Sequence, residues 1–147
     1  MTIAAKVIFF DIGATLATPV PGDPPGSITA FALLSWAVPM LEAAQRSGAR
    51  LGIISNTGDL PGSAITPLLD NAGIKKFFEK DLLIYSKDVG HSKATPEIFR
   101  LAAARAGYAD EKDACLFVGE DAAERQTAVT AGLRSAAPPV FDFAKAD

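Results

Sequence analysis

The chain alternates between short apolar runs and segments with helical patterns, and this alternation restricts its fold more than any other feature. Four apolar runs have the length and composition of buried parallel strands, and a weaker fifth follows them. They cover residues 7–10, 51–54, 82–85, 116–118 and 133–137. Strands that alternate with helices form a doubly wound parallel sheet. The predicted fold is therefore an α/β three-layer sandwich, with the five strands in the order 5-4-1-2-3.

The helices between these strands are marked by their ends. Proline or an N-cap residue, such as Thr95, indicates where a helix begins, and glycine indicates where one ends. The predicted helices cover residues 28–38, 39–46, 65–71, 96–107 and 122–131. The 28–38 segment is apolar almost all round, so we expect a largely buried helix there. Residues 17–26, which read ATPVPGDPPG, are expected to form a loop after the first strand.

Length and composition exclude several classes of protein. The 147 residues are enough for one domain with a real core, and no repeat or linker divides residues 1–147. A net charge of −3 gives no basic footprint for nucleic acid. No apolar run approaches the ~20 residues that span a bilayer, and no signal peptide is evident, so we expect a cytoplasmic protein without a membrane partner. The single cysteine, Cys115, excludes an internal disulfide and is expected to be inert core.

Polar residues follow the predicted strands at the point where each strand ends. Asp11 follows the first strand, Ser55 and Asn56 follow the second, Lys93 comes soon after the third, and Glu120 follows the fourth. In a doubly wound sheet the carboxyl ends of the strands form the edge where ligands bind. We therefore expect these side chains to share one site.

These residue types suit phosphoryl chemistry. Carboxylates from two strands suit Mg²⁺, which takes oxygen ligands and keeps several waters. A serine hydroxyl, backbone N–H groups and a lysine suit the oxygens of a phosphoryl group. The remaining oxygen of Asp11 can then attack phosphorus, as aspartates do in aspartyl-phosphate enzymes. The residues alone predict a metal-assisted phosphoryl site.

Four motifs in order resemble those of the haloacid dehalogenase superfamily of phosphohydrolases. DIGATL, at 11–16, is similar to D-x-D-x-T after an apolar strand, and IISN, at 53–56, is similar to the second motif. SKDVGHSKATPEIF, at 86–99, fits the third motif except that Ala94 replaces its first proline. GEDAAE, at 119–124, resembles G-D-x-x-x-D with glutamate at both acidic positions. The resemblance covers about residues 6–133, and four motifs in order are far more specific than one.

The resemblance implies a role for each matching residue. Asp11 would be the nucleophile and a metal ligand, and the backbone carbonyl of Gly13 would be a second ligand. Ser55 and Asn56 would bind the transferring phosphoryl group. Lys93 would neutralise the charge that Asp11 and this group share. The implied cofactor is Mg²⁺, and its remaining ligands would be the two acids of the fourth motif, Glu120 and Glu124.

Gly13 is the main departure from the family pattern. The residue that the family's phosphatases carry there, a second aspartate, protonates the leaving group and then activates water, and glycine can do neither. General acid–base groups contribute ~10²–10⁴-fold in rate. We therefore expect a preference for good leaving groups and a phosphorylated Asp11 that persists. His91, the only histidine, is one candidate substitute, although the favoured interpretation is a solvated loop residue; Asp121 and Asp88 are weaker candidates.

The intervals between the motifs leave no room for a cap domain. The predicted protein is thus a single capless domain whose cleft is open to small or bulky phosphorylated substrates. A second subunit could cover this cleft. The apolar 28–40 region, with Phe31, Leu34 and Trp36, would supply that homo-oligomer interface unless it is ordinary core, which we favour.

Several functions compete with a Mg²⁺-dependent phosphatase. The altered positions Gly13, Ala94, Glu120 and Glu124 also fit a weakly active descendant that binds phosphorylated ligands. A phospho-receiver domain is disfavoured because its phosphorylated aspartate follows the third strand. Carbon–halogen hydrolysis is disfavoured because no cap shields the substrate. A dinucleotide fold is excluded because no G-x-G-x-x-G follows the first strand.

Overall fold

The computed structural model describes residues 2–145 and contains a parallel sheet with helices on both faces. Within this range the strands are β1 (Val7–Phe10), β2 (Ala17–Pro21), β3 (Ile28–Leu33), β4 (Arg50–Ser55), β5 (Leu83–Tyr85), β6 (Cys115–Val118) and β7 (Arg134–Ala136). The helices are α1 (Ala37–Arg46), α2 (Gly62–Asn71), α3 (Ser86–Val89), α4 (Glu97–Arg105) and α5 (Ala122–Ala131). The five-stranded sheet has the order β5-β4-β1-β6-β7, which confirms the predicted order.

β1 lies at the centre of the sheet and is buried along its whole length. It pairs in parallel with β4 on one side, where Phe10 lies opposite Ile53, and with β6 on the other, where Phe10 lies opposite Val118. All four β1 residues are at most 1% exposed. A strand that is covered on both faces reads as a continuous apolar run, which is the pattern at 7–10.

Successive side chains of β1 enter two separate cores. Ile8 and Phe10 pack on the face covered by α1 and α2. Val7 and Phe9 pack on the face covered by α4 and α5. This alternation follows from the two-residue period of a strand. The predicted three-layer sandwich is confirmed.

Four of the predicted helices are present as α1, α2, α4 and α5, with boundaries within a few residues of those predicted; the short α3 was not predicted. α5 covers the predicted range; the Asp121 carboxylate caps it by accepting from Glu124 N at 3.0 Å. The predicted N-cap at Thr95 is wrong. α4 begins at Glu97 after Pro96, and no side chain caps it. None of the helices within residues 2–145 is both long and apolar enough to traverse a bilayer.

The predicted helix at 28–38 is wrong. β3 occupies its first part and pairs antiparallel with β2, which lies within the predicted 17–26 loop. An apolar run of this length does not distinguish helix from strand, so the flanking turn decides. In that turn Gly22 N donates to Ser27 O at 2.9 Å, which reverses the chain and brings the two segments together. Phe31 of β3 is nevertheless buried in the core, and Leu34 and Trp36 are partly buried.

A substitution at Gly52 tests how closely the sheet packs against the segment that leads into β5. A Cβ at Gly52 would lie 2.6 Å from Leu82 O and 2.9 Å from Phe9 Cδ1. Gly52→Ala should therefore lower the free energy of unfolding by about 1–3 kcal/mol in urea denaturation. The control is Gly13→Ala, where a Cβ would meet no described atom within 4 Å; its stability should change by about 1 kcal/mol or less. Equal stability of the two variants would contradict this packing.

Cys115 should react slowly with thiol reagents in the folded protein. Burial raises the pKa of this thiol from 9.0 to about 11, and the side chain is fully buried in β6. The thiolate is the reactive form, so this rise in pKa lowers its population about 100-fold. Modification by a disulfide reagent at pH 8 should be at least about 100-fold slower in native protein than in urea. Equal rates would show that β6 opens readily.

Candidate active site

The candidate site lies at the carboxyl edge of the sheet, directly after β1. Asp11 continues the β1–β6 ladder, since its backbone N–H donates to Val118 O at 3.0 Å. Its side chain is 12% exposed. Lys93 Nζ donates to Asp11 Oδ1 at 2.5 Å, and no residue from 2 to 145 donates a hydrogen bond to Oδ2. The central strand therefore delivers one carboxylate that is paired on one oxygen only.

Lys93 is a buried cation between two carboxylates. Its side chain is 2% exposed, and Nζ lies 2.5 Å from Asp11 Oδ1 and 2.8 Å from Glu124 Oε1. The contact with Glu124 is an ion pair that lacks the alignment of a hydrogen bond. Nζ also lies 5.5 Å from the centre of the Phe117 ring. Three charged groups from three parts of the chain thus meet at one point.

Asn56 fixes the loop that carries Lys93. Its side-chain Oδ1 accepts a hydrogen bond from the backbone N–H of Lys93 at 2.8 Å. The residue follows β4, so the second motif positions the third. Asn56 also lines the cavity beside Asp11, where its amide nitrogen is still a donor.

A cavity of about 300 Å³ opens beside these charged groups. Its polar side is formed by residues that end the strands, together with helix α5: Asp11, Ser55, Asn56, Thr57, Lys93 and Glu124. Its apolar side is formed by the β2–β3 hairpin, the segment after β1, and α2 with its preceding loop: Ile12, Pro19, Ile28, Phe31, Leu60 and Ile65. Ser55 is 6% exposed, and its hydroxyl makes no hydrogen bond with the residues the structure describes. This hydroxyl is therefore able to bind a ligand in the cavity.

Gly13 lines the same cavity and leaves space in it. A Cβ at this position would meet no atom of residues 2–145 within 4 Å, and the backbone does not adopt the left-handed conformation that favours glycine. Neither packing nor backbone conformation requires glycine here. A larger side chain at position 13 would project into the site without a clash at its Cβ.

Several predicted site residues lie elsewhere. The Glu120 side chain is exposed and does not line the cavity, although its backbone N–H donates to Thr15 Oγ1 at 3.1 Å. Asp121 is occupied as the cap of α5, and Asp88 accepts from Gly62 N at 3.0 Å. His91 lines a neighbouring depression. The structure therefore brings none of the candidate substitute acids into the cavity beside Asp11.

The sequence patterns did not predict two features of the site. The β2–β3 hairpin forms one wall through Pro19 and Phe31, which face each other in its register. Thr15 is fully buried and ties the segment after β1 to the segment after β6. The signal for the hairpin was the GDPPG turn between two β-prone segments. No pattern indicated the hydrogen bond of Thr15.

Asp11, Glu124 and the Gly13 carbonyl are suitable ligands for Mg²⁺. Lys93 contacts Asp11 Oδ1 and Glu124 Oε1, which leaves the second carboxylate oxygen of each acid available for a metal. Residues 2–145 contain no group of three or more His, Cys, Asp or Glu side chains that could hold a metal. The donor set therefore fits an ion that keeps several waters, as Mg²⁺ does, and does not fit a metal enclosed by side chains.

The sequence belongs to a known enzyme family. The haloacid dehalogenase-like hydrolase family matches residues 28–132, which is most of the chain. The chain therefore belongs to the haloacid dehalogenase-like hydrolases. The match includes Ser55, Lys93 and Glu124 and begins after Asp11. Among curated proteins no sequence matches the chain significantly.

Solved structures share the fold. A HAD-superfamily hydrolase from Ehrlichia chaffeensis has a TM-score of 0.72 at 14% identity, over 96% of this chain and 94% of that one. An uncharacterized protein from Listeria monocytogenes has a TM-score of 0.72 at 23% identity, over 90% and 77%. CbbY from Rhodobacter sphaeroides, in complex with xylulose-1,5-bisphosphate, has a TM-score of 0.67 at 16% identity, over 95% and 88%. At these identities the likeness shows a common fold.

The Lys93 contacts predict a specific pattern of stabilities. Lys93→Met leaves Asp11 and Glu124 close together without their shared cation, so the free energy of unfolding should fall by about 3 kcal/mol at pH 7. Adding Glu124→Gln removes one of the two like charges and should recover part of this loss. The control Lys80→Met removes an exposed lysine and should change stability by about 0.5 kcal/mol or less. Urea denaturation measures all three; a Lys93→Met variant as stable as the parent would contradict the assigned contacts.

Proposed function

We propose that this protein is a Mg²⁺-dependent phosphatase that forms an aspartyl-phosphate intermediate on Asp11. One observation carries the proposal: a half-paired carboxylate and a buried ammonium, 2.5 Å apart, border a cavity that also contains the Ser55 hydroxyl. A nucleophile, a cation and a hydrogen-bond donor are the groups that phosphoryl transfer requires. Membership of the hydrolase family supports the same reaction class.

The proposed reaction has two steps. In the first, an Asp11 carboxylate oxygen forms a bond to phosphorus while the bond from phosphorus to the leaving-group oxygen breaks. In the second, a water oxygen bonds to phosphorus while the bond from phosphorus to the Asp11 oxygen breaks, which regenerates the Asp11 carboxylate and releases inorganic phosphate with the protons of the water. The Ser55 hydroxyl donates to a phosphoryl oxygen, and the Lys93 ammonium offsets the charge that the phosphoryl group brings near Asp11.

The same residues provide a place for the metal. Asp11, Glu124 and the Gly13 carbonyl would hold Mg²⁺, and Glu120 would reach it only if its exposed side chain turned inward. When bound, the ion would neutralise negative charge on the phosphoryl oxygens. Glu124 therefore has two partners in this proposal, the cation of Lys93 and the metal.

Gly13 limits the choice of substrate. The two acids that line the cavity have other roles in this proposal, Asp11 as the nucleophile and Glu124 as the partner of Lys93 and the metal. We therefore propose that substrates with stable leaving anions, such as aryl or acyl phosphates, react fastest. The apolar wall formed by Pro19, Phe31 and their neighbours suits an aromatic leaving group. We also propose that the enzyme acts without a cap domain, with the β2–β3 hairpin covering one side of the site.

The first test is phosphate release from a panel of aryl, acyl and alkyl phosphates. Release should require Mg²⁺, stop on chelation, and be fastest for aryl and acyl esters. Asp11→Asn should abolish it, and Ser55→Ala should lower kcat by about 100-fold because one donor to the phosphoryl group is lost. Equal turnover of aryl and alkyl esters would contradict the proposed role of Gly13. Release that survives in Asp11→Asn would rule out the nucleophile.

Gly13→Asp tests whether only an acid is missing. The open space at this position accepts the side chain, so hydrolysis of alkyl phosphates should rise by up to about 100-fold, at the low end for a general acid. Gly13→Asn is the matched control, since it has the same size and no acid, and its rate should stay at the parent level. A rise in both variants would indicate an effect of shape rather than of proton transfer.

A second function, binding of phosphorylated ligands without turnover, is favoured by the glycine at position 13 and by the outward position of Glu120. The two functions differ in the fate of phosphorylated Asp11. Incubation with acetyl phosphate and Mg²⁺ should give a phosphoryl adduct in intact-protein mass spectrometry that Asp11→Asn lacks. An adduct that decays with release of phosphate supports the phosphatase. A protein that shows neither adduct nor release, yet binds phosphate esters, supports the binding module.

A further inference from the structure

A second depression lies beside the candidate active site. It is open, has a volume of about 500 Å³, and is lined by Asn56, Gly58, Ser86, Lys87, Gly90, His91 and Ser92. Two of these residues are glycines with positive φ, 59° at Gly58 and 76° at Gly90. A Cβ at either glycine would meet no described atom within 4 Å, so both backbones border open space. The depression therefore has room for a ligand group along exposed main chain.

The charge of this depression differs from that of the whole protein. The chain has a net charge of −3. Among the described residues that line the depression, the ionisable side chains are Lys87 and His91, and neither is acidic. The adjacent carboxylate, Asp88, is bound to the backbone N–H of Gly62 at the start of α2. An ammonium, an imidazole N–H donor and serine hydroxyls are groups that bind an anion.

The depression adjoins the cavity beside Asp11. Asn56 lines both of them. Thr57, which lines the Asp11 cavity, donates its backbone N–H to Ser86 Oγ in the depression at 2.8 Å. Lys93 and His91 are separated by a single residue of one loop. A molecule whose phosphate lies at Asp11 would reach the depression by extending past Asn56.

We propose that this depression is a substrate subsite that binds a second anionic group, a carboxylate or phosphate, on the leaving-group part of the phosphate ester. The inference rests on the proposed phosphatase function and narrows its substrates to esters with two anionic groups. Lys87 supplies the charge and His91 a directional hydrogen bond. Neither residue takes part in the chemical step.

Two synthetic esters test the subsite: 4-carboxyphenyl phosphate and the neutral, equally large 4-carbamoylphenyl phosphate. Wild-type kcat/KM should favour the carboxylate by about tenfold, the size of a charge-assisted hydrogen bond. Lys87→Met should reduce this ratio to about one while leaving the carbamoyl ester unchanged. The control Lys80→Met removes an exposed lysine that lies outside the depression and should keep the wild-type ratio. 1,4-Phenylene bisphosphate distinguishes a preference for phosphate from one for carboxylate.

Binding separates failure of the subsite from failure of the phosphatase. Calorimetry on Asp11→Asn measures the affinity for both monophosphate esters without turnover. Tighter binding of the carboxylate that Lys87→Met abolishes supports the subsite, even if no phosphate is released by the parent enzyme. Equal binding of the two esters, or a preference that Lys87→Met leaves intact, overturns the subsite, whether or not the protein hydrolyses phosphate esters.

Discussion

The ion pairs of Lys93 are the interaction on which the candidate site depends. One ammonium is 2% exposed and contacts carboxylates from β1 and α5 at 2.5 and 2.8 Å. A buried charge is tolerated only when it is paired, so the buried Lys93 ammonium depends on these two carboxylates. Since two carboxylates face one cation, the cluster carries an excess of negative charge. A divalent cation beside it would offset that excess.

The sheet explains why residues so distant in sequence meet. Asp11, Ser55 and Lys93 are separated by tens of residues, yet parallel strands that start at the same edge also end at the same edge. The central position of β1 then places Asp11 between the residues that follow β4 and those that follow β6. Asn56 adds a direct link, because its side chain bonds the backbone of Lys93 at 2.8 Å. The fold thus brings each group to the same edge of the sheet, and side-chain hydrogen bonds determine its position there more finely.

Sequence patterns predicted the sheet well because buried parallel strands, such as β1 and β6, are continuous apolar runs. They predicted most helices because a glycine, such as Gly132, marks the residue at which a helix ends. They failed at 28–38, where ITAFAL suits a helix or a strand and only pairing with β2 decides. They also grouped Glu120 with Glu124, although Glu120 precedes the N-cap of α5 and is exposed, whereas Glu124 lies in the first turn of α5 and contacts Lys93. Local patterns locate strand ends, whereas the direction of a side chain depends on the packing around it.

The hairpin and Gly13 together determine what kind of chemistry the cavity can support. The hairpin contributes Pro19 and Phe31 to the lining of the cavity, and the segments that follow the strands contribute charged groups. A phosphate ester fits this lining when its phosphoryl group lies beside Lys93 and the apolar part of its leaving group contacts the hairpin. Since glycine supplies no acid at position 13, the leaving group must depart without a proton from that position. The substrate therefore has to carry a leaving group that is stable as an anion, because position 13 provides no proton donor.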